Sequence, residues 1–199
     1  IEPNAGIVIV PDERLDIINT FIPSEKIIPT TIEFVDIAGL VEGASRGEGL
    51  GNQFLSHIRN VDAVIHLVRC YENDNIAHVE NSLDALRDIS IVETELILRD
   101  LESIDKRLKK IEKNVKSKDK DFIEEFNLLN KIKEDMNQGI LIYKIDFSKK
   151  ELDILSNLSL ITSKPTIYAA NISEDDLLTN NNQQALKTRE YANKNNCEY

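Results

Sequence analysis

A chain of 199 residues carrying 24 basic and 35 acidic side chains, a formal net charge of −11, is sized for one α/β domain or a domain with an insertion. Its bulk surface repels nucleic acid and anionic membrane, so any RNA contact has to come from a local basic patch. No run of 18 apolar residues and no signal-like N-terminus is present, and Cys70 and Cys197 stand far apart outside any CxxC spacing, a pattern that points to reduced thiols in the cytoplasm and excludes a helical membrane span.

Gly6-Ile-Val-Ile-Val10 reads as a strand stopped by Pro11-Asp12. Residues 14–21, with apolar side chains at Leu15 and Ile18, read as a short helix, and Pro23 and Pro29 bracket a loop. Thr30 to Ile37 is a second strand. It ends in Asp36-Ile-Ala-Gly39 and runs into a loop with Gly43, Gly47, Gly49 and Gly51. A strand of this kind carries a carboxylate to the ligand-binding edge of an α/β sheet, where it can hold Mg²⁺ through water. The glycine lets a backbone N–H approach a terminal phosphate. Asp-x-x-Gly alone points rather to a buried strand with a plain Asp-led turn; the glycine-rich continuation, with a helix after it, shifts the balance toward the phosphate site.

Asn52 to Asn60 has helical spacing at Phe54, Leu55 and Ile58. Ala63-Val-Ile-His-Leu-Val68 reads as a buried strand, with His66 a packed core residue rather than a ligand. His57, His66 and His78 share no metal-ligand spacing, which argues against zinc. Strand, helix and strand in this order predict a βαβ unit and a mainly parallel sheet. Residues 91–115 carry a heptad seam at Ile97, Leu101, Ile104, Leu108, Ile111 and Val115. A second helix is expected from about Asp119 to Asn137, stopped by Gly139. The two form an antiparallel, coiled-coil-like hairpin. Its tip, residues 106–120, holds eight Lys/Arg against Glu112 and Asp119. That tip is either a solvated surface or a contact for RNA or an acidic partner. Residues 149–155 read as a helix, Pro165 to Ala170 as a strand, residues 178–184 as a loop and residues 185–195 as a helix. The chain starts at Ile1 and stops at Tyr199, where a helix should hand over to a strand, so both ends read as cut.

The string from Asp36 through Gly39-Leu40-Val-Glu-Gly-Ala-Ser-Arg-Gly-Glu-Gly-Leu-Gly-Asn-Gln-Phe-Leu55 resembles the switch II region of the Obg-like ATPases, the YchF family. Glu2-Pro-Asn4, the stretch from His66 to Asn75, and Lys164-Pro-Thr-Ile-Tyr-Ala-Ala-Asn171 resemble that family too, so the similarity covers nearly the whole chain. The resemblance implies a P-loop NTPase with an OBG-type G domain, α/β in class, incomplete here, with an inserted helical hairpin. The division it suggests is residues 1–90 and 139–199 for the G-domain parts and residues 91–138 for the hairpin.

By position, the resemblance makes Asp36 the carboxylate that holds Mg²⁺ through water and Gly39 the glycine whose N–H meets the γ-phosphate. Leu40 takes the place of the glutamine that orients attacking water in many small GTPases. Leucine cannot form that hydrogen bond, so another group must position the water. Asn171-Ile-Ser-Glu174 matches the base-reading motif, with Asn171 and the Ile172 main chain facing the purine. Guanine-specific relatives have Asp where Glu174 stands, and losing a matched polar contact of that kind can change selectivity by several kcal/mol. The resemblance implies that ATP is preferred, with GTP accepted.

The Walker A loop, the switch I threonine and the C-terminal TGS domain of the family have no counterpart in residues 1–199. The isolated chain is accordingly expected to bind ATP poorly and to be inactive alone. Two function classes follow. One is a ribosome-associated ATPase, with weaker GTPase activity, acting as a regulatory switch in the intact protein. The other is a non-catalytic binding module or inactive piece whose hairpin docks RNA or a protein partner.

Overall fold

The computed structural model describes residues 5–36, 61–72, 82–116, 119–179 and 181–199. The expected helix at residues 52–60 and the glycine-rich loop lie outside the described residues. The chain forms two compact units, Ile1–Gly39 and Leu40–Tyr199.

In the first unit β1 (Ala5–Ile9) pairs antiparallel with β2 (Thr31–Val35), in a register running from Ala5↔Val35 to Ile9↔Thr31. The ladder continues one step through Val10 N–H donating to Thr30 O at 2.8 Å. Between them lies α1 (Glu13–Phe21). Asp12 caps α1, accepting from the Arg14 backbone N–H, and also takes the Arg14 guanidinium at 2.6 and 2.7 Å. That guanidinium holds the Asp12 carboxyl below its ordinary range. The apolar residues of this unit do not close over a core among the described residues: Ile7 is 72% and Phe21 80% exposed.

The second unit is built on a parallel pair, β3 (Val64–Arg69) and β4 (Thr166–Asn171), aligned from Val64↔Thr166 to Arg69↔Asn171. The expected parallel pairing is therefore present here, whereas the β1–β2 pair of the first unit is a separate, antiparallel sheet. Parallel strands need a long crossover, and this one consists of α2 (Ala85–Lys116), α3 (Lys120–Asn137) and α4 (Lys149–Ser156). After β4 come α5 (Glu174–Thr179) and α6 (Gln183–Lys194). Beyond α6, Glu198 forms a single parallel bridge to Ile167.

The sheet face carrying Val68 and Tyr168 is covered by Ala85 and Ile89 of α2 and by Ala185 and Ala192 of α6. His66 shares that face, its ring centroid 5.4 Å from that of Tyr168. Burial pushes the His66 pKa down to about 4, as befits a packed neutral histidine.

The hairpin has its own core. Ile97, Ile104, Leu108 and Ile111 of α2 meet Leu128, Leu129, Ile132 and Met136 of α3, which is the expected seam. Arg107 and Glu125 clamp the two helices with paired bonds of 2.5 and 2.8 Å, and Lys133 reaches Asp105 at 2.5 Å. The first helix begins at Ala85, earlier than the heptad pattern indicated. Asp84 accepts from the Leu86 and Arg87 N–H groups and starts it there. The opening turns cover the sheet, so their apolar positions follow a different face from the seam. Gly139, at φ 82°, ends α3; its N–H donates to Met136 O while Ile140 N–H donates to Asp135 O.

Two helices share the stretch read as a loop at residues 178–184. Local side-chain bonds account for this: Ser173 and Asp176 cap α5, and Asn182 caps α6 by accepting from Ala185 N–H at 2.9 Å. At α4, Ser148 and Glu151 form a reciprocal capping box.

One buried carboxylate joins hairpin to sheet. Asp100, on α2 beside the seam and one turn before Ile104, is fully enclosed. It accepts from Ile161 N–H at 2.9 Å, Thr162 N–H at 2.7 Å and the Thr162 hydroxyl at 2.8 Å. Removing it strands buried donors, each costing about 1–3 kcal/mol. Asp100→Ala is therefore expected to destabilise the chain by about 3 kcal/mol or more, read from the urea unfolding midpoint. A change within about 0.5 kcal/mol, the range of neutral surface substitutions, would show that the turn is held by other means.

Candidate functional site

Parallel alignment brings the carboxyl ends of β3 and β4 to one edge, the position where open α/β sheets bind ligands. There Cys70 N–H donates to Asn171 O at 2.8 Å, so the main chain of Asn171 is fixed as the last rung of the ladder. The Asn171 side chain is exposed and makes no hydrogen bond among the described residues. It presents one donor and one acceptor face to solvent. Ile172 is half-buried and packs against the core beneath the sheet.

Ser173 then turns the chain. Its hydroxyl donates to Asp176 Oδ2 at 2.7 Å and accepts from Asp176 N–H at 3.3 Å, which starts α5. Because Ser173 and Asp176 satisfy the helix start, Glu174 is left exposed on the first turn, with its carboxylate unpaired among the described residues. Hydrogen bonds from Ser173 and then Asn182 hold the Asp176 carboxyl below its ordinary range. The Asn182 side-chain NH₂ donates to Cys70 O at 2.6 Å and to Asp176 Oδ2 at 2.9 Å. A cleft of about 390 Å³ opens beside this junction, lined by polar groups of Glu72, Ser173, Asp176, Asn182 and Gln184.

The strand behind the loop is gripped from α2. Glu93 accepts from the Tyr168 hydroxyl at 2.5 Å and from the Tyr191 hydroxyl of α6 at 2.8 Å. Burial, and next the neighbouring Glu93 carboxylate, push both phenols well above their ordinary pKa, so both remain hydrogen-bond donors. The β4 segment leading to Asn171 is thus tied to the sheet on one side and to two helices on the other.

Asn171, Ile172 and Glu174 therefore come together on one loop of the second unit. Asp36 stands immediately after β2 in the first unit, exposed and without a hydrogen bond among the described residues. An accessible carboxylate directly after a strand suits a cation that keeps its hydration water. Gly39 and Leu40 lie outside the described residues. Sequence reasoning did not single out Asp176 and Asn182. A signal for both existed: Ser173-x-x-Asp176 has the spacing of a capping box, and Asn182 stands three residues before Ala185 at a helix start.

A sequence profile described as "50S ribosome-binding GTPase" matches residues 15–131, more than half of the chain. The chain is 46% identical over all 199 residues to a protein of Bacillus subtilis named "Ribosome-binding ATPase YchF" and covers 54% of it. It is 48% identical over 187 residues to the protein of the same name from Mycoplasma genitalium, with 94% of this chain and 51% of that protein aligned. In three dimensions it resembles the solved Schizosaccharomyces pombe YchF GTPase, with a TM-score of 0.77, 36% identity, and coverage of 98% of this chain and 53% of that one. The chain spans about half the length of these relatives. The likeness read from residues 36–55 and 164–171 thus extends along the whole sequence and into the fold, and the chain belongs to the 50S ribosome-binding GTPase family, within which it is similar to the YchF proteins.

Proposed function

We propose that the intact protein carrying this chain is a ribosome-associated ATPase that hydrolyses ATP to ADP and phosphate, and GTP less readily, as a regulatory switch in the cytoplasm. The observation that carries this reading is the loop after β4. An exposed, unpaired Asn171 amide sits at the ligand edge of a parallel pair, with Glu174 on the following turn. An asparagine amide can bond the N6 and N7 edge of adenine with both of its atoms. The names of the relatives, ribosome-binding ATPases, support the same activity class.

In this reading Asn171 and the Ile172 main chain face the purine. Glu174 stands where guanine readers have the shorter aspartate, and its extra methylene displaces the carboxylate from the guanine N1 and N2 donors. Asp36 holds Mg²⁺ through water, and that ion supplies charge neutralisation at the phosphates. Gly39 N–H meets the γ-phosphate. Leu40 contributes no hydrogen bond to the attacking water, so another group orients it. The stretch at residues 91–138 is an inserted hairpin between G-domain parts 1–90 and 139–199. Among the described residues no helix is long and apolar enough to cross a membrane.

The hairpin supports a docking role as well. Lys106, Lys109, Lys110 and Lys113 are exposed and pair with no acidic side chain among the described residues. Their spacing puts them on one stripe of α2. In a net acidic protein such a stripe is the patch that can meet RNA or an acidic partner on the ribosome.

Asn171→Ala in the intact protein is expected to weaken ATP binding about tenfold, equivalent to about 1.4 kcal/mol, and Glu174→Asp to move preference toward GTP. Fluorescent-nucleotide titration checks both. Unchanged ATP affinity in Asn171→Ala would remove the loop from base recognition. Reversing Lys109, Lys110 and Lys113 to Glu is expected to abolish co-sedimentation with ribosomes while leaving the ATPase rate intact. Retained co-sedimentation would make the stripe a solvated surface.

A further inference from the structure

We propose that Asn182 is a positioning residue for base selectivity, holding the loop from Asn171 to Asp176 in the shape that reads the purine. The proposal rests on the base-reading role assigned above to that loop.

Both ends of the Asn182 amide are bonded. One NH₂ group serves Cys70 O at the end of β3, at 2.6 Å, and Asp176 Oδ2 in the first turn of α5, at 2.9 Å. The amide oxygen accepts from Ala185 N–H at 2.9 Å and starts α6. A flipped amide would set its oxygen against a carbonyl and a carboxylate and its NH₂ against an N–H, so the network itself assigns the orientation. One planar group therefore fixes three elements relative to one another. The Asp176 oxygen it holds is the same oxygen that receives the Ser173 hydroxyl. The Cys70 it holds is the residue whose N–H fixes Asn171 O. Both ends of the loop, Asn171 and Asp176, thus lead back to a single side chain.

Selectivity between adenine and guanine depends on donors and acceptors placed within a few tenths of an ångström, whereas a phosphate chain contacts other parts of such a site. Loosening the loop should erode discrimination before it erodes phosphate binding. Asn182→Asp separates this role from helix capping. Aspartate remains a good cap for Ala185 N–H, but it has no hydrogens to offer and sets an oxygen against Cys70 O and Asp176. Asp176→Ala removes the same tie from the other side while leaving Asn182 bonded to Cys70 and Ala185.

The test measures ATP and GTP dissociation constants in the intact protein for the wild type, Asn182→Asp, Asp176→Ala and Asn171→Ala. Tripolyphosphate competition serves as the base-free control. The expected result is an ATP-to-GTP preference reduced at least threefold in both Asn182→Asp and Asp176→Ala, with tripolyphosphate affinity unchanged. Preference within twofold of wild type in both variants, while Asn171→Ala weakens ATP, overturns the positioning role alone. A parallel loss of ATP, GTP and tripolyphosphate affinity also overturns it, because that pattern is general unfolding of the site. If Asn171→Ala leaves nucleotide binding unaltered, the base-reading assignment fails and this proposal with it.

Discussion

The Asp100 carboxylate takes three hydrogen bonds from the turn that delivers β4, inside a region closed to water. A buried carboxylate is tolerated only when its lone pairs are satisfied, and here two backbone N–H groups and a hydroxyl do so. The consequence is geometric. The crossover from β3 to β4 runs out along α2 and back along α3, and a crossover that long leaves the returning strand poorly placed by chain connectivity alone. Asp100 fixes where the chain re-enters the sheet. Glu93, two turns earlier on α2, then grips Tyr168 within β4 and Tyr191 on α6. The hairpin helix is thus the ruler against which β4, and the loop after it, are set.

Beyond the residues that hold β4, the hairpin is held by its own contacts. The hairpin seam of Ile104, Leu108, Ile111, Leu129 and Ile132 is a continuous apolar core, and the Arg107–Glu125 clamp adds a bidentate bond across it. Near the start of this helix of 32 residues, two of its carboxylates, Glu93 and Asp100, bond β4 and the turn before it.

Much of this was legible in the residues. The seam at Ile97, Ile104, Leu108 and Ile111, the stop at Gly139 and the strand at residues 166–171 all follow from spacing and turn chemistry, and each stands where expected within a few residues. Local propensity was less informative where the partner of a side chain is remote in sequence. Asp100 reads as one more charged residue on a helix, and nothing near it announces that Thr162 is its partner. Glu93 is hidden for the same reason. The early start of α2 escaped the heptad pattern because Ala85 and Ile89 face the sheet rather than α3. The short helix at residues 174–179 was concealed by the Asn- and Gln-rich stretch after it, although Ser173 carries its capping signal, whereas α6 stands within two residues of the expected 185–195. Of the candidate site, Asn171, Ile172 and Glu174 are proposed from resemblance, and Asp176 and Asn182 enter through the geometry of the loop.

Whether the edge formed by residues 171–176 faces the purine is tested most directly by photolabelling the intact protein with 8-azido-ATP, followed by mass spectrometry of the labelled peptides. Label is expected on the peptide that carries Asn171 to Asp176, suppressed by excess ATP and less so by GTP. ATP-protected label confined to other peptides, with none on this loop, would contradict it.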